Sequence, residues 1–305
     1  SELQNNQNLV IHFKREVGKK WHAEPIAIKD ASTFRGFCHH HDDTFSIIEQ
    51  QSYTGSDQQN FLHSYRSFAY SYHNKRENYA YLKNIVNGVG GLENMLESCV
   101  EALRSSGISE DNIPELTKKT EINAEQEEIL KAERFETYKE RLNNSLSNNK
   151  YDDLEYFTYE LNHICPLICA SWIKVHLEIP GGFIIDCKGQ IYNGYPLLLT
   201  IFHTDQNTSI VLLARFKSDS ITEQIFNQLR KLSTKELEIK LTSLIFEQVE
   251  NFYLAPAFWN YLPQSEKEKI ENDINEEKQS FPNQSTFKAS INIFDGMHKI
   301  TVTQS

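Results

Sequence analysis

The stretch that decides the fold is PLLLTIFH at residues 196–203, followed by SIVLLARF at 209–216. Each run is strand-length and apolar, and the polar loop Thr204 to Asn207 joins them, so the pair reads as a β-hairpin. Working upstream, Leu167, Cys169, Ser171, Ile173, Val175, Leu177 and Ile179 alternate with Trp172, Lys174, His176 and Glu178. This is the two-residue period of a strand. Gly181-Gly182 turns that strand into GFIIDC. A helix is expected over Asp152 to Ile164, ending at Pro166. Downstream, helices are expected over Ile221 to Leu232, Lys235 to Phe252 and Gln264 to Lys278, with a last strand over Phe287 to Phe294.

The N-terminal half reads differently. LVIHFK (9–14) and WHAEPIAI (21–28) are strand-like, with a turn at Glu16 to Lys19. A long helix is expected from Gln58 to about Leu82, with Phe61, Tyr65, Phe68 and Tyr72 as its apolar stripe. Ala124 to Leu146 is a charged helix whose i,i+4 acid–base pairs suit a solvated face. The Asn/Ser-rich NNSLSNNK after it marks a domain boundary near residue 150. Strands bunched in the middle with helices on both sides give an α+β class. A helical N-terminal half (1–150) would precede an α+β region (151–305) built on a mainly antiparallel sheet, with a helical C-terminal segment.

Composition narrows the functional classes. With 305 residues, of which 39% are hydrophobic and 11% aromatic, the chain can bury a substantial core. Runs such as Leu197 to Phe202 fall far short of the ~20 apolar residues of a membrane-spanning helix. SELQNNQNLV lacks the basic and apolar regions of a signal peptide. Five cysteines argue for a reducing compartment rather than a disulfide framework, so a cytoplasmic protein is expected. A net charge of −11 disfavours coating nucleic acid by phosphate contacts. The phosphate-loop, nucleophile-elbow and H-E-x-x-H signatures of common NTPases, hydrolases and metalloproteases are absent from the sequence.

Three groups could carry chemistry. Ala31 to Glu49 gathers Cys38, His39, His40, His41, Asp42 and Asp43. Cys38 and His41 share a helical face with Asp42 at its edge, and these residue types ligate divalent metals such as zinc or manganese. His41 with Asp42 also suits general-base chemistry. The competing reading makes Cys38 a small core residue and His41 a hydrogen-bonded, partly buried histidine. The fold of the segment has two readings as well. One is a helix presenting Phe34, Phe37, Cys38, His41, Phe45 and Ile48; the other is a knuckle around Cys38 with the helix starting only near Asp42. The second group is Arg66 with His73, two turns apart on a face away from the apolar stripe, which is either a functional surface or only solvated helix. The third is Glu247, Glu250 and Asn251, ahead of Phe258 and Trp259, against which stands an acidic helix end followed by an aromatic anchor.

Two resemblances attach to these residues. Arg66 and His73 resemble the R-x(4–6)-H pattern of HEPN-type ribonucleases, in which Arg and His from two helices meet at a dimer seam. Phe34, Gly36, Phe37, Cys38, His41, Asp42, Phe45, Ile48 and Glu49 are similar to the F-x-G-F-C-x-x-H-D-x-x-F-x-x-I-E segment of a little-characterised bacterial protein family. Glu250-Asn251, followed by Pro256 and Phe258-Trp259, is similar to a second recurring stretch of that family. Its longer members carry an upstream Cys/His cluster, whereas this chain has His12 and His22 there without a cysteine. The resemblance implies a bacterial cytoplasmic effector or accessory protein of a defence- or toxin-type system, and His41 with Asp42, or Arg66 with His73, would let such an effector act on nucleic acid. The alternatives are a subunit that binds a protein partner or a further copy of itself, and a sensor with a small-molecule pocket on the central sheet.

Overall fold

A computed structural model describes residues 8–14, 20–31, 43–86, 135–173, 196–249, 251–279 and 289–295, with isolated positions between 97 and 105. The architecture is α+β, as expected. Seven strands, β1 (Leu9–Lys14), β2 (His22–Ala27), β3 (Leu154–Leu161), β4 (Leu167–Ile173), β5 (Leu197–His203), β6 (Ser209–Phe216) and β7 (Phe252–Leu254), form one sheet in the order β2-β1-β7-β4-β5-β6-β3. Every strand pair in it is antiparallel. The helices are α1 (Ile28–Ala31), α2 (Ser46–Gln50), α3 (Asp57–Val86), α4 (described over 135–147), α5 (Ser220–Leu229), α6 (Thr234–Gln248), α7 (Pro256–Tyr261) and α8 (Gln264–Gln279). Because β1 pairs with β7, strands from before and after residue 150 share this sheet.

Helices cover both faces of the sheet. Leu197, Leu199, Ile201, Val211 and Leu213 point to one core, filled by Phe226 of α5, Leu241 and Ile245 of α6 and Ile270 of α8. Trp172, Leu198, Ala214 and Phe216 point to the other, filled by Phe61 and Phe68 of α3 and Tyr138 and Leu142 of α4. Burial on both faces is why the central strands are apolar runs rather than alternating ones. Fully burying a side chain such as Leu213 is worth about 1.5–3 kcal/mol.

Helix α3 meets the sheet through serines. Ser64, Ser67 and Ser71 are all buried. The Ser67 hydroxyl lies 2.6 Å from that of Thr200 on β5. Ser71 Oγ accepts from the backbone N–H of Trp172 on β4 at 3.0 Å. Small side chains let the helix axis come close, and each buried hydroxyl is satisfied, as burial requires.

Two expected elements differ. Residues 154–161 form strand β3, not a helix, paired with β6 along its whole length. Tyr156, Phe157, Thr158 and Tyr159 are strong strand formers, and the three aromatic rings are half-buried on the two faces. The described end of the chain, 289–295, is turn and bend without a strand, anchored instead by buried Ile293 and Phe294. The helix expected to run to Phe252 ends at Gln248, where Val249 turns extended and leads into β7. The β4 reading holds over 167–173, and its continuation to 179 lies outside the described residues.

Candidate functional site

Among the described residues, a concavity lies where β3, the β5–β6 turn and the loop before α3 converge. Its two parts adjoin, sharing Tyr53 and Thr204. One is a cleft of about 380 Å³ that also takes in Thr54, Gly55, Asn60, Thr158, Glu160 and Thr208. The other is a hollow of about 220 Å³ that also takes in Glu49, Ser52, His63, Phe202, His203 and Asp205. The larger cleft falls within the ~300–1,000 Å³ of small-molecule sites.

Local sequence chemistry builds each wall. Ser56 starts α3, its Oγ accepting from the Gln59 N–H at 3.3 Å. Gln59 then reaches back over the preceding loop: its Oε1 accepts from the Thr54 N–H at 2.7 Å and from Thr54 Oγ1 at 2.9 Å, and its Nε2 donates to the Ser52 carbonyl at 2.9 Å. Asn60 Nδ2 donates to the Gly55 carbonyl at 3.2 Å, and Asn60 Oδ1 accepts from the Tyr53 hydroxyl at 2.6 Å. Gly55 has φ +72°, a left-handed conformation that other residues adopt at a cost. On the opposite wall a three-residue turn, Asp205 to Asn207, closes the β5–β6 hairpin. Thr204 N–H donates to the Thr208 carbonyl at 2.9 Å, and Asn207 takes φ +58°.

The loop and hairpin are tied together by Ser52 Oγ, which donates to Asp205 Oδ2. Between them the His63 ring stacks on Phe202 at 3.8 Å between centroids and 11° between planes. Burial, aided by the nearby Arg66 charge, lowers the His63 pKa to about 4, so the ring is neutral at physiological pH. Burial likewise lowers His203, opposed by its 2.8 Å hydrogen bond with the Cys165 carbonyl. Burial raises the Tyr53 hydroxyl, which a side-chain hydrogen bond with Thr158 opposes and the charge of Glu160 reinforces. The formal charges along the walls are therefore the carboxylates of Glu49, Glu160 and Asp205. Glu49 is matched by Arg66, whose Nη1 lies 2.8 Å from Glu49 Oε1. None of the described lining residues is itself Lys or Arg.

The residues singled out in the sequence lie elsewhere or are engaged. Cys38, His41 and Asp42 fall outside the described residues, as does Glu250; the described helical structure nearest them begins at Asp43. Arg66, besides its ion pair, sits over the Phe45 ring at 5.5 Å. His73 Nε2 lies 3.0 Å from Glu77 Oε1, one turn further along α3. Glu247 is buried, and Asn251 Nδ2 donates to the Ala170 carbonyl at 3.0 Å, a strand-anchoring role. Among the described residues no three His, Cys, Asp or Glu side chains cluster as a metal site would require. Cys165 and Cys169 are buried thiols; burial pushes Cys165 up to about 12 and raises Cys169 as well, which disfavours the reactive thiolate at both.

The cleft residues were missed because they are ordinary loop and strand polar groups. The readable signals were Thr158 inside the aromatic run EYFTYEL and the TGSDQQN stretch, in which a cap residue and three amides follow a glycine. No helix among the described residues is long and apolar enough to cross a membrane. No family model, curated protein or solved structure matches the chain.

Proposed function

We propose that this protein binds a small polar metabolite, uncharged or cationic, in the cleft between the 52–56 loop and the β5–β6 turn, and acts as a ligand-sensing accessory protein. The observation that carries the reading is the lining itself. Hydroxyls of Tyr53, Thr54, Thr158, Thr204 and Thr208, together with the Glu160 and Asp205 carboxylates, converge on one concavity. A carboxylate-bearing wall repels phosphates and other anions and favours ammonium groups or sugar hydroxyls. The loop is held in place by the Gln59 and Asn60 amides, which lowers the cost of ordering it around a ligand.

The test is a melting-temperature screen of purified protein against three panels: monosaccharides and polyols, polyamines, and nucleotides. A ligand that binds only the folded state adds about 2.7 kcal/mol at one hundred times its Kd. The expected result is a rise in Tm with a polyol or polyamine that is lost in Glu160→Ala and in Thr158→Ala, both changes at exposed side chains. A response to nucleotides alone, or to none of the panels, overturns the reading.

A further inference from the structure

The two outer edges of the sheet are finished differently. On β2, Pro25 lacks an N–H, and α8 covers the neighbouring backbone. The Ala23 N–H donates to Glu271 Oε1 at 3.1 Å, and the Trp21 N–H donates to Asn275 Oδ1 at 2.7 Å. These are standard protections against edge-to-edge pairing. On β3, eight residues long, neither a proline nor such a cover of the backbone is found among the described residues. The strand contains no proline, lysine or bulge, and it pairs with β6 alone among the described strands.

The register identifies which backbone groups face outward. Lys217 N–H donates to the Asp153 carbonyl at 3.0 Å, so Asp153 and every second residue after it bond to β6. The N–H and C=O groups of Tyr156, Thr158 and Glu160 therefore point away from the sheet. Thr158 and Glu160 also have exposed side chains.

We propose that β3 pairs antiparallel with β3 of a second copy of this chain, about a two-fold axis through Thr158. Only residues of equal parity can oppose one another in such a pair, because outward groups must meet outward groups. Tyr156 then faces Glu160 of the second copy, Phe157 faces Tyr159, and Glu155 faces Leu161. The two acids of the strand, Glu155 and Glu160, have opposite parity and never meet. Glu155 is in any case held by Arg215 and Arg230. The strand is thus self-complementary: it forms about six main-chain hydrogen bonds and an aromatic cross-strand pair on each side of the axis without opposing like charges. Both copies keep the same face up, so their clefts, each with Thr158 and Glu160 in its wall, flank the axis. The pairing does not depend on what the cleft binds.

The test is sedimentation velocity of the full chain across a wide concentration range at low and high salt. A reversible dimer is expected, favoured by salt because each copy carries a net charge of −11. Thr158→Pro removes an outward N–H without costing a bond to β6, as Pro25 does on β2, and should give a monomer with a cooperative melt. Should that variant fail to fold, Thr158→Lys, which sets two ammonium groups face to face at the axis, decides in its place. A wild-type protein that stays monomeric at every concentration and salt overturns the proposal. So does a dimer that survives in a folded Thr158 variant.

Discussion

His63 makes folding stability depend on pH, and its burial sets the sign of that dependence. Its ring is neutral in the folded state, with a pKa of about 4 against 6.5 in the unfolded chain, because Tyr53 and Phe202 cover it and Arg66 adds a like charge. The folded-state pKa is depressed, so the unfolded chain binds the extra proton and stability rises with pH. The contribution is complete above the unfolded value and is lost as pH falls from about 6.5 towards 4. At pH about 5 the unfolded ring is nearly all protonated and the folded ring nearly all neutral, a difference of about 2 kcal/mol relative to pH about 7.5. This is an upper value, because part of the ring remains solvated. Urea unfolding of the wild type and of His63→Phe at the two pH values measures it. The phenylalanine keeps the stack on Phe202 and cannot titrate. The variant should lose less stability on acidification than the wild type, by up to about 2 kcal/mol. His203 shifts in the same direction and is common to both proteins, so it cancels in the comparison. Equal acid losses in the two proteins would refute the reasoning.

Two further perturbations probe the sheet and the loop. Arg215 is buried, with its guanidinium on Glu155 and on the Asp219 carbonyl at 2.8 Å. Glu155→Gln should cost about 3 kcal/mol in denaturant unfolding by stranding that charge, whereas adding Arg215→Met should recover part of the loss. A double variant less stable than the single one would count against it. Burial opposes ionisation of Glu155, but hydrogen bonds from Arg230 and Arg215 prevail and hold its pKa below the usual carboxylate range. The wild type should therefore also lose this stabilisation once the pH falls below that range, and Glu155→Gln should not. Gly55→Ala places a Cβ where there is room, with the Tyr53 hydroxyl 3.9 Å away, but in a conformation that costs about 1 kcal/mol. Chemical denaturation should show that loss, and a neutral result would mean that the 52–56 loop relaxes out of its clamp.

The fold was largely legible where apolar runs were longest. The 196–216 hairpin is unambiguous because both of its faces are buried, and the paired runs have no helical alternative. Residues 154–161 misled for the same physical reason in reverse. With rings on both faces, the strand shows no two-residue alternation, and Leu154, Phe157 and Leu161 sit at helical spacing by coincidence. The three-residue β7 carries too little sequence to announce itself; its place is set by β1 and β4 on either side.

The cleft was illegible for a different reason, and so was the way α3 meets the sheet. Phe61 and Phe68 read as apolar contacts in the sequence and are buried in the fold. The adjoining face with Asn60, Ser64, Ser67 and Ser71 looks solvent-facing in sequence, yet all four are buried. A serine at such a position is decided by a partner more than a hundred residues away, such as Thr200 or the Trp172 N–H, which no local window contains. The cleft has the same character. Tyr53, Asn60, Thr158 and Thr204 each sit in an unremarkable local context, and only the antiparallel return of β5, β6 and β3 brings them to one wall. Residue types such as Cys, His and Asp attract a sequence reader because their chemistry is strong even when solitary. A site made of hydroxyls and amides exists only as a convergence, so it becomes visible only once the sheet is closed.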